Sequence, residues 1–269
     1  MPVDVWGRNH VQVTGEGTRP MMFAHGFGCD QNMWRFVAPA FMRDYRGVLF
    51  DYVGAGRSDL RAYSPERYGD LRGYAQDVLE ICEALDLRDL TFVGHSVSAM
   101  IGVLAAIRAP ERFARLILLA PSPRYINDPP AYVGGLERRE VEGLLDMMDR
   151  NYLGWAQLLA PQIMQNPERP ELAGELASSF CSTDPVIARQ FARVTFFSDN
   201  RRDLARIPVP SLILQCSDDL LAPTSVGEYM HRSAPNSTLR VMQATGHCPH
   251  LSDPAETIAL MREYLDLRA

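Results

Sequence analysis

The chain has 269 residues, 46% hydrophobic and 22% charged, with a formal net charge of −6. That length suits one large α/β domain or one domain with an insertion, and the acidic balance argues against a nucleic-acid partner, because phosphate contacts need clustered Lys and Arg. The N-terminus "MPVDVWGRNHVQV" lacks a basic region followed by an apolar stretch, and no apolar run is long enough to cross a bilayer. No membrane association is therefore expected. The five cysteines, 29, 82, 181, 216 and 248, are odd in number and form no CxxC pair. They read as reduced thiols of a cytoplasmic protein, most of them small core hydrophobes. No cluster has zinc-ligand spacing, so neither metal nor cofactor is expected.

In chain order, "NHVQVTGEG" alternates and ends in glycines, the pattern of a strand and turn. "RPMMFAHGFG" and "RGVLFDYVGAGRSD" each read as a short buried strand running into a Gly-rich loop. Residues 71–87 carry Leu71, Tyr74, Ala75, Val78, Leu79, Cys82 and Leu85 at helical spacing, with Asp70 as a cap. "LTFVGHS" predicts a strand, "VSAMIGVLAAIRAP" a helix closed by Pro110, and "RLILLAPSP" another strand. Strands alternating with helices imply a mostly parallel sheet covered on both faces. From about 122 to 205 the strands stop. "GLLDMMDRNYLGWAQLLAP", "ELAGELASSF" and "PVIARQFARVTFFSD" read as helices, so residues 122–205 are expected to be a helical insertion between core segments 1–121 and 206–269. The sheet resumes at "IPVPSLILQCSDD" and "STLRVMQATGH", and "PAETIALMREYL" predicts a final helix.

Three reactive residue types stand at predicted strand ends, where ligands meet a parallel sheet. Ser96 follows "LTFV", Asp218 and Asp219 follow "SLILQC", and His247 follows "LRVMQATG". A serine hydroxyl is a weak nucleophile that needs a base and an acceptor to orient that base. The chain order Ser, Asp, His is that of α/β-hydrolases, whose nucleophile sits in G-x-S-x-G. Here "GHSVS" has Ser98 in place of the second glycine. A hydroxyl there is small and can bond back to a helical carbonyl four residues earlier, so Ser98→Gly is expected to leave hydrolysis roughly intact. Asp219, four residues before Pro223, fits the acid better than Asp218, which reads as a cap or surface acid. His247 fits the base, with His250 packing below it and His25 and His95 flanking. The amides of Val97 and of Phe27, in "HGFG", are the expected donors to an oxyanion.

The segments "HGFGCDQNMW", "LFDYVGAGRSDLRAY", "YAQDVLEICEALDL", "VGHSVSAMIG", "CSTDPVIARQFA", "FFSD", "VPSLILQC" and "GHCPH" together resemble the RsbQ group of bacterial α/β-hydrolases, itself similar to the plant strigolactone and karrikin receptors. The resemblance covers nearly the whole chain. It implies an α/β-hydrolase core under a four-helix lid, an apolar pocket, and a triad of Ser96, Asp219 and His247. With serine as nucleophile, it implies acyl transfer at a small hydrophobic ester or lactone, butenolide-like in the plant relatives. It also implies a stress-signalling role with a PAS-domain phosphatase of the RsbP type. Trp155, Phe191, Val194, Phe196 and Phe197 are expected in the roof of the pocket, with Phe27 and His95 near its floor.

Overall fold

The computed structural model describes residues 4–266. Ten α-helices and seven strands are assigned among them: α1 Val5–Arg8, β1 Gln12–Thr14, β2 Arg19–Ala24, β3 Tyr45–Leu49, α2 Leu71–Ala84, β4 Leu90–His95, α3 Val97–Arg108, β5 Phe113–Leu119, α4 Arg138–Arg150, α5 Tyr152–Met164, α6 Pro170–Cys181, α7 Pro185–Phe196, β6 Ser211–Asp218, α8 Thr224–Ser233, β7 Ser237–Thr245, α9 Pro249–Ser252 and α10 Pro254–Asp266. The strands form one sheet in the order β1-β3-β2-β4-β5-β6-β7. Only β1 runs antiparallel to its neighbour; every other pairing is parallel. The strand–helix rhythm implied this mostly parallel sheet, and the resemblance implied the α/β-hydrolase fold that it forms.

The central strands read as unbroken apolar runs because both of their faces are buried. Leu116 and Leu118 of β5 and Ile213 of β6 pack with α2, α3 and α8. Their alternates Ile117, Leu119, Leu212 and Leu214 pack with Trp34 and with Met261 and Leu265 of α10. Period-two alternation thus feeds two cores rather than one core and solvent. Each fully buried aliphatic side chain contributes about 1.5–3 kcal/mol.

Local signals explain most helix boundaries. The Asp70 carboxylate accepts the Arg72 N–H at 2.7 Å and starts α2. Residues 143–161 do not form one continuous helix. At Asn151 the backbone leaves helical geometry, with φ −154°, and its side chain caps α5 by accepting the Gly154 N–H at 2.9 Å. Pro161 lies inside α5 rather than ending it. The helix α8 had no clear signal: its buried stripe is only Val226, Gly227 and Met230. A side chain at Gly227 would press on Gln215, with a Cβ 3.0 Å from its Oε1. The glycine that weakened the helical pattern is what lets α8 sit close to β6.

Between β5 and β6 no strand is assigned among the described residues, and α4–α7 occupy that stretch. These helices form a third apolar cluster together with Cys29, Met33, Tyr125, Cys248 and Leu251, residues from the loops at the strand ends. The four-helix segment therefore packs over the carboxyl ends of the strands, where the reactive residues lie.

Candidate active site

Ser96 stands between β4 and α3 with φ 57° and ψ −123°, a conformation that non-glycine residues rarely adopt. Such strain costs on the order of 1–3 kcal/mol and persists only where the surroundings impose it. Here the first turn of α3 folds straight back on β4. A Cβ at Gly94 would lie 2.6 Å from the Ser98 carbonyl oxygen, so glycine is required. The Ser96 N–H is held by the Leu119 carbonyl at 2.8 Å and its carbonyl by the Ala99 N–H at 3.0 Å.

The turn delivers the Ser96 hydroxyl to His247, with Oγ 2.7 Å from Nε2. The other ring nitrogen, Nδ1, lies 2.7 Å from Asp219 Oδ2. The second carboxylate oxygen of Asp219 accepts the N–H groups of Leu221 (2.9 Å) and Ala222 (3.2 Å). All three residues are buried. Asp218, by contrast, is exposed, and its carbonyl accepts the Gly246 N–H at 2.7 Å. One aspartate orients the imidazole through its side chain, and its neighbour braces the histidine loop through its backbone.

His247 is gripped from two sides. Its N–H donates to the Ile163 carbonyl of α5 at 2.8 Å, and its carbonyl accepts from His95 Nε2 at 2.7 Å. A Cβ at Gly246, where φ is +79°, would lie 2.0 Å from the Met164 carbonyl oxygen. Leu220 N–H donates to Gln165 Oε1 at 3.0 Å. The end of α5 therefore touches both the acid loop and the histidine loop.

The loop 25–28 closes the other side. A Cβ at Gly26 would fall 3.4 Å from that of Ser96 and 2.6 Å from His95 Nδ1. The His25 ring spans this loop, with Nε2 accepting the Tyr52 N–H at 3.1 Å and Nδ1 lying 2.9 Å from the Gly26 carbonyl. Ser98 does not bond back along its helix. Its hydroxyl reaches across to the His25 carbonyl and the Tyr52 hydroxyl, the latter at 3.1 Å. The residue that replaces glycine in the elbow thus ties the elbow to the loop carrying Phe27, a role the local helical pattern did not suggest.

Burial sets the protonation of the surrounding groups. It pushes His95 well below its usual value, with His250 and His247 adding to the effect. It pushes His250 down to about 3, with His247 and Arg35 contributing. It also lowers His25, against the pull of Asp51. These rings are neutral at pH 7. Burial raises the thiols of Cys29 and Cys248, so the cysteines at the cavity are poor nucleophiles.

Of the pocket residues expected from sequence, Phe27, His95 and Phe196 line the cavity at Ser96. Trp155 and Phe191 sit behind its wall. Trp155 meets the Phe27 ring edge-on at 6.2 Å, and Phe191 does so at 5.7 Å while stacking on Tyr74. Val194 and Phe197 stand elsewhere: they line an outer groove with Gln190 and Arg193. The cause is helical periodicity. Positions 190, 193, 194 and 197 share one face, whereas 188, 191, 192, 195 and 196 are the buried face of α7. The sequence reading missed Tyr125, whose hydroxyl is 3.2 Å from Ser96 Oγ, and also Phe180 and Thr195. Tyr125 follows β5 in a loop with no motif to mark it. The cavity is tight, leaving about 20 Å³ for the centre of a water-sized sphere, room for about one water. Among the described residues no cluster of His, Cys, Asp or Glu is arranged to hold a metal ion, and no helix is long and apolar enough to cross a membrane.

The alpha/beta hydrolase family model matches residues 21–260. The chain belongs to the alpha/beta hydrolase family. This hydrolase is 38% identical over 256 residues to the karrikin insensitive 2 receptor IA of Petunia hybrida, covering 95% of this chain and 93% of that one. It is 37% identical over 257 residues to the strigolactone esterase D14 of Arabidopsis thaliana, covering 95% and 96%. Among solved structures, a hydrolase from Oleispira antarctica superposes with a TM-score of 0.96 at 47% identity, covering 98% of this chain and 96% of that chain.

Proposed function

We propose that this hydrolase cleaves a small, largely apolar ester or lactone by acyl transfer through Ser96, His247 and Asp219. The observation that carries the reading is the buried hydrogen-bonded chain from the Ser96 hydroxyl through the imidazole to the Asp219 carboxylate. Ser96 Oγ attacks the ester carbon as His247 Nε2 takes its proton. Asp219, accepting from Nδ1–H, fixes the tautomer and stabilises the imidazolium. The N–H groups of Val97 and Phe27 receive the oxyanion. The imidazolium then protonates the departing alkoxide, and water, activated by the same imidazole, releases the acid from Ser96. Neither a metal nor a cofactor enters this sequence. Residues 122–205 act as a lid over a core of 1–121 and 206–269. Phe27, His95 and Phe196 shape the pocket, and Trp155 and Phe191 hold Phe27 in place.

The direct test is steady-state hydrolysis of p-nitrophenyl acetate and butyrate. Ser96→Ala should lower kcat by several orders of magnitude without unfolding the protein. A variant as fast as wild type removes the reading.

The receptor name of one relative supports a finer version. In it the protein is a slow, ligand-sensing hydrolase of the RsbQ type, working in the cytoplasm. Hydrolysis of a butenolide-like ligand is the sensing step, and a PAS-domain phosphatase of the RsbP type is the partner in a stress response. Ligand-dependent binding of such a purified phosphatase would support this version. Equal absence of binding with and without a butenolide would remove it and leave the hydrolase.

A further inference from the structure

Most of the cavity wall at Ser96 is carbon and sulfur, and its five polar side chains are Ser96, His247, His95, Tyr125 and Thr195. Ser96 bonds both His247 and Tyr125, and His95 bonds the His247 carbonyl through Nε2, its Nδ1 having no partner. Thr195 is different. Its residue is 1% exposed, and its hydroxyl has no hydrogen-bond partner. A threonine in a helix has an acceptor at hand in the carbonyl four residues back, here that of Phe191. That bond is not made. Thr195 belongs to the buried face of α7, next to Phe196, whose ring packs 5.3 Å from Tyr125. A buried hydroxyl without a partner in the protein is a standing cost. It is offset when something entering the cavity supplies the missing bond.

We propose that Thr195 is a specificity residue: its hydroxyl donates to an acceptor oxygen that the substrate carries outside the scissile carboxyl group. Resting on the ester-hydrolase reading, the inference narrows the substrate class. The preferred ligand is a small apolar ester or lactone with one further ether or carbonyl oxygen, rather than a plain hydrocarbon ester. Sites built to bond a polar atom reject analogues that lack it far better than apolar walls reject one that has it.

The test compares esters that differ only in CH₂ against O. p-Nitrophenyl butyrate is paired with p-nitrophenyl methoxyacetate, placing the oxygen on the acyl side. Butyl acetate is paired with 2-methoxyethyl acetate, followed by pH-stat, placing it on the alcohol side. Intrinsic reactivity cancels when each oxygen-to-carbon ratio of kcat/KM is compared between wild type and the isosteric Thr195→Val. In at least one pair that ratio should fall about tenfold in Thr195→Val, mainly through KM, and return in Thr195→Ser. The same ratios are read as Kd in a Ser96→Ala background, by quenching of tryptophan fluorescence. If wild type hydrolyses none of these esters but the Kd ratio still shifts, the acyl-transfer reading fails and Thr195 stands. Unchanged ratios in both pairs, by rate and by Kd, overturn the proposal.

Discussion

The strand ends and the four-helix segment build the same cavity by different rules. At the strand ends each reactive residue is placed by backbone: a glycine behind Ser96, a carbonyl clamp on His247, and two amide donors on Asp219. Over them, α5, α6 and α7 contribute side chains whose direction depends on helical phase. A shift of one residue moves a side chain from the cavity to the outer groove, as Phe196 and Phe197 illustrate. The first rule specifies chemistry, and the second specifies what the chemistry is offered.

The comparison predicts that variants at the strand ends abolish turnover and variants in the helices re-tune it. The largest effect below the nucleophile itself is expected at Asp219. Asp219→Asn keeps the shape but lets the imidazole present the wrong tautomer, and kcat should fall about 10⁴-fold at neutral pH. A loss under tenfold would mean that the carboxylate is not the orienting group.

A second prediction concerns acid stability, because the same region buries three neutral histidines. His25, His95 and His250 each take up a proton near the ordinary value of 6.5 when unfolded, but only at lower pH when folded, about 3 for His250. The unfolded chain therefore binds more protons below pH 6.5, and stability falls as pH drops through that value, by about 1.4 kcal/mol per pH unit for each histidine. Neither ring nitrogen of His250 has a partner, and the ring packs 4.8 Å from Trp34. His250→Phe should keep that packing and reduce the pH slope of urea unfolding by one proton between pH 5 and 6.5. An unchanged slope would show that His250 is charged in the fold.

At Ser98 a side chain, not backbone, ties two strand-end loops together. Removing its hydroxyl leaves the His25 carbonyl and the Tyr52 hydroxyl short of a buried partner. Ser98→Gly should therefore cost about 1–3 kcal/mol in urea unfolding, and its kcat reports how firmly the loop bearing Phe27 is held. The smallest effects belong to the helices. Phe196→Leu should change the preference among acyl-chain lengths by a few-fold, whereas Val194→Ala, facing the outer groove, should leave it unchanged. The reverse order would invert the assigned face of α7.

Legibility in the sequence follows the same division. The parallel sheet, the Ser–Asp–His order and the choice of Asp219 over Asp218 could be read because short motifs fix backbone geometry at strand ends. Tyr125 could not, since its contact with Ser96 depends on how an unpatterned loop folds after β5. Val194 and Phe197 were misplaced because composition shows that a helix is aromatic, not which face of it turns inward. Ser98 was legible as a small residue but not as a tether, because its partners, His25 and Tyr52, are 73 and 46 positions away in the chain.

In the proposed reaction one serine, aimed by one histidine, carries the acyl group. Peptide mass mapping of the wild-type protein, acid-quenched after brief exposure to p-nitrophenyl acetate, tests this assignment. A single acetyl adduct is expected on the peptide containing Ser96, and none in Ser96→Ala. Hydrolysis by wild type with no adduct on Ser96, or with the acyl group on Cys29 or Cys248 instead, would contradict it.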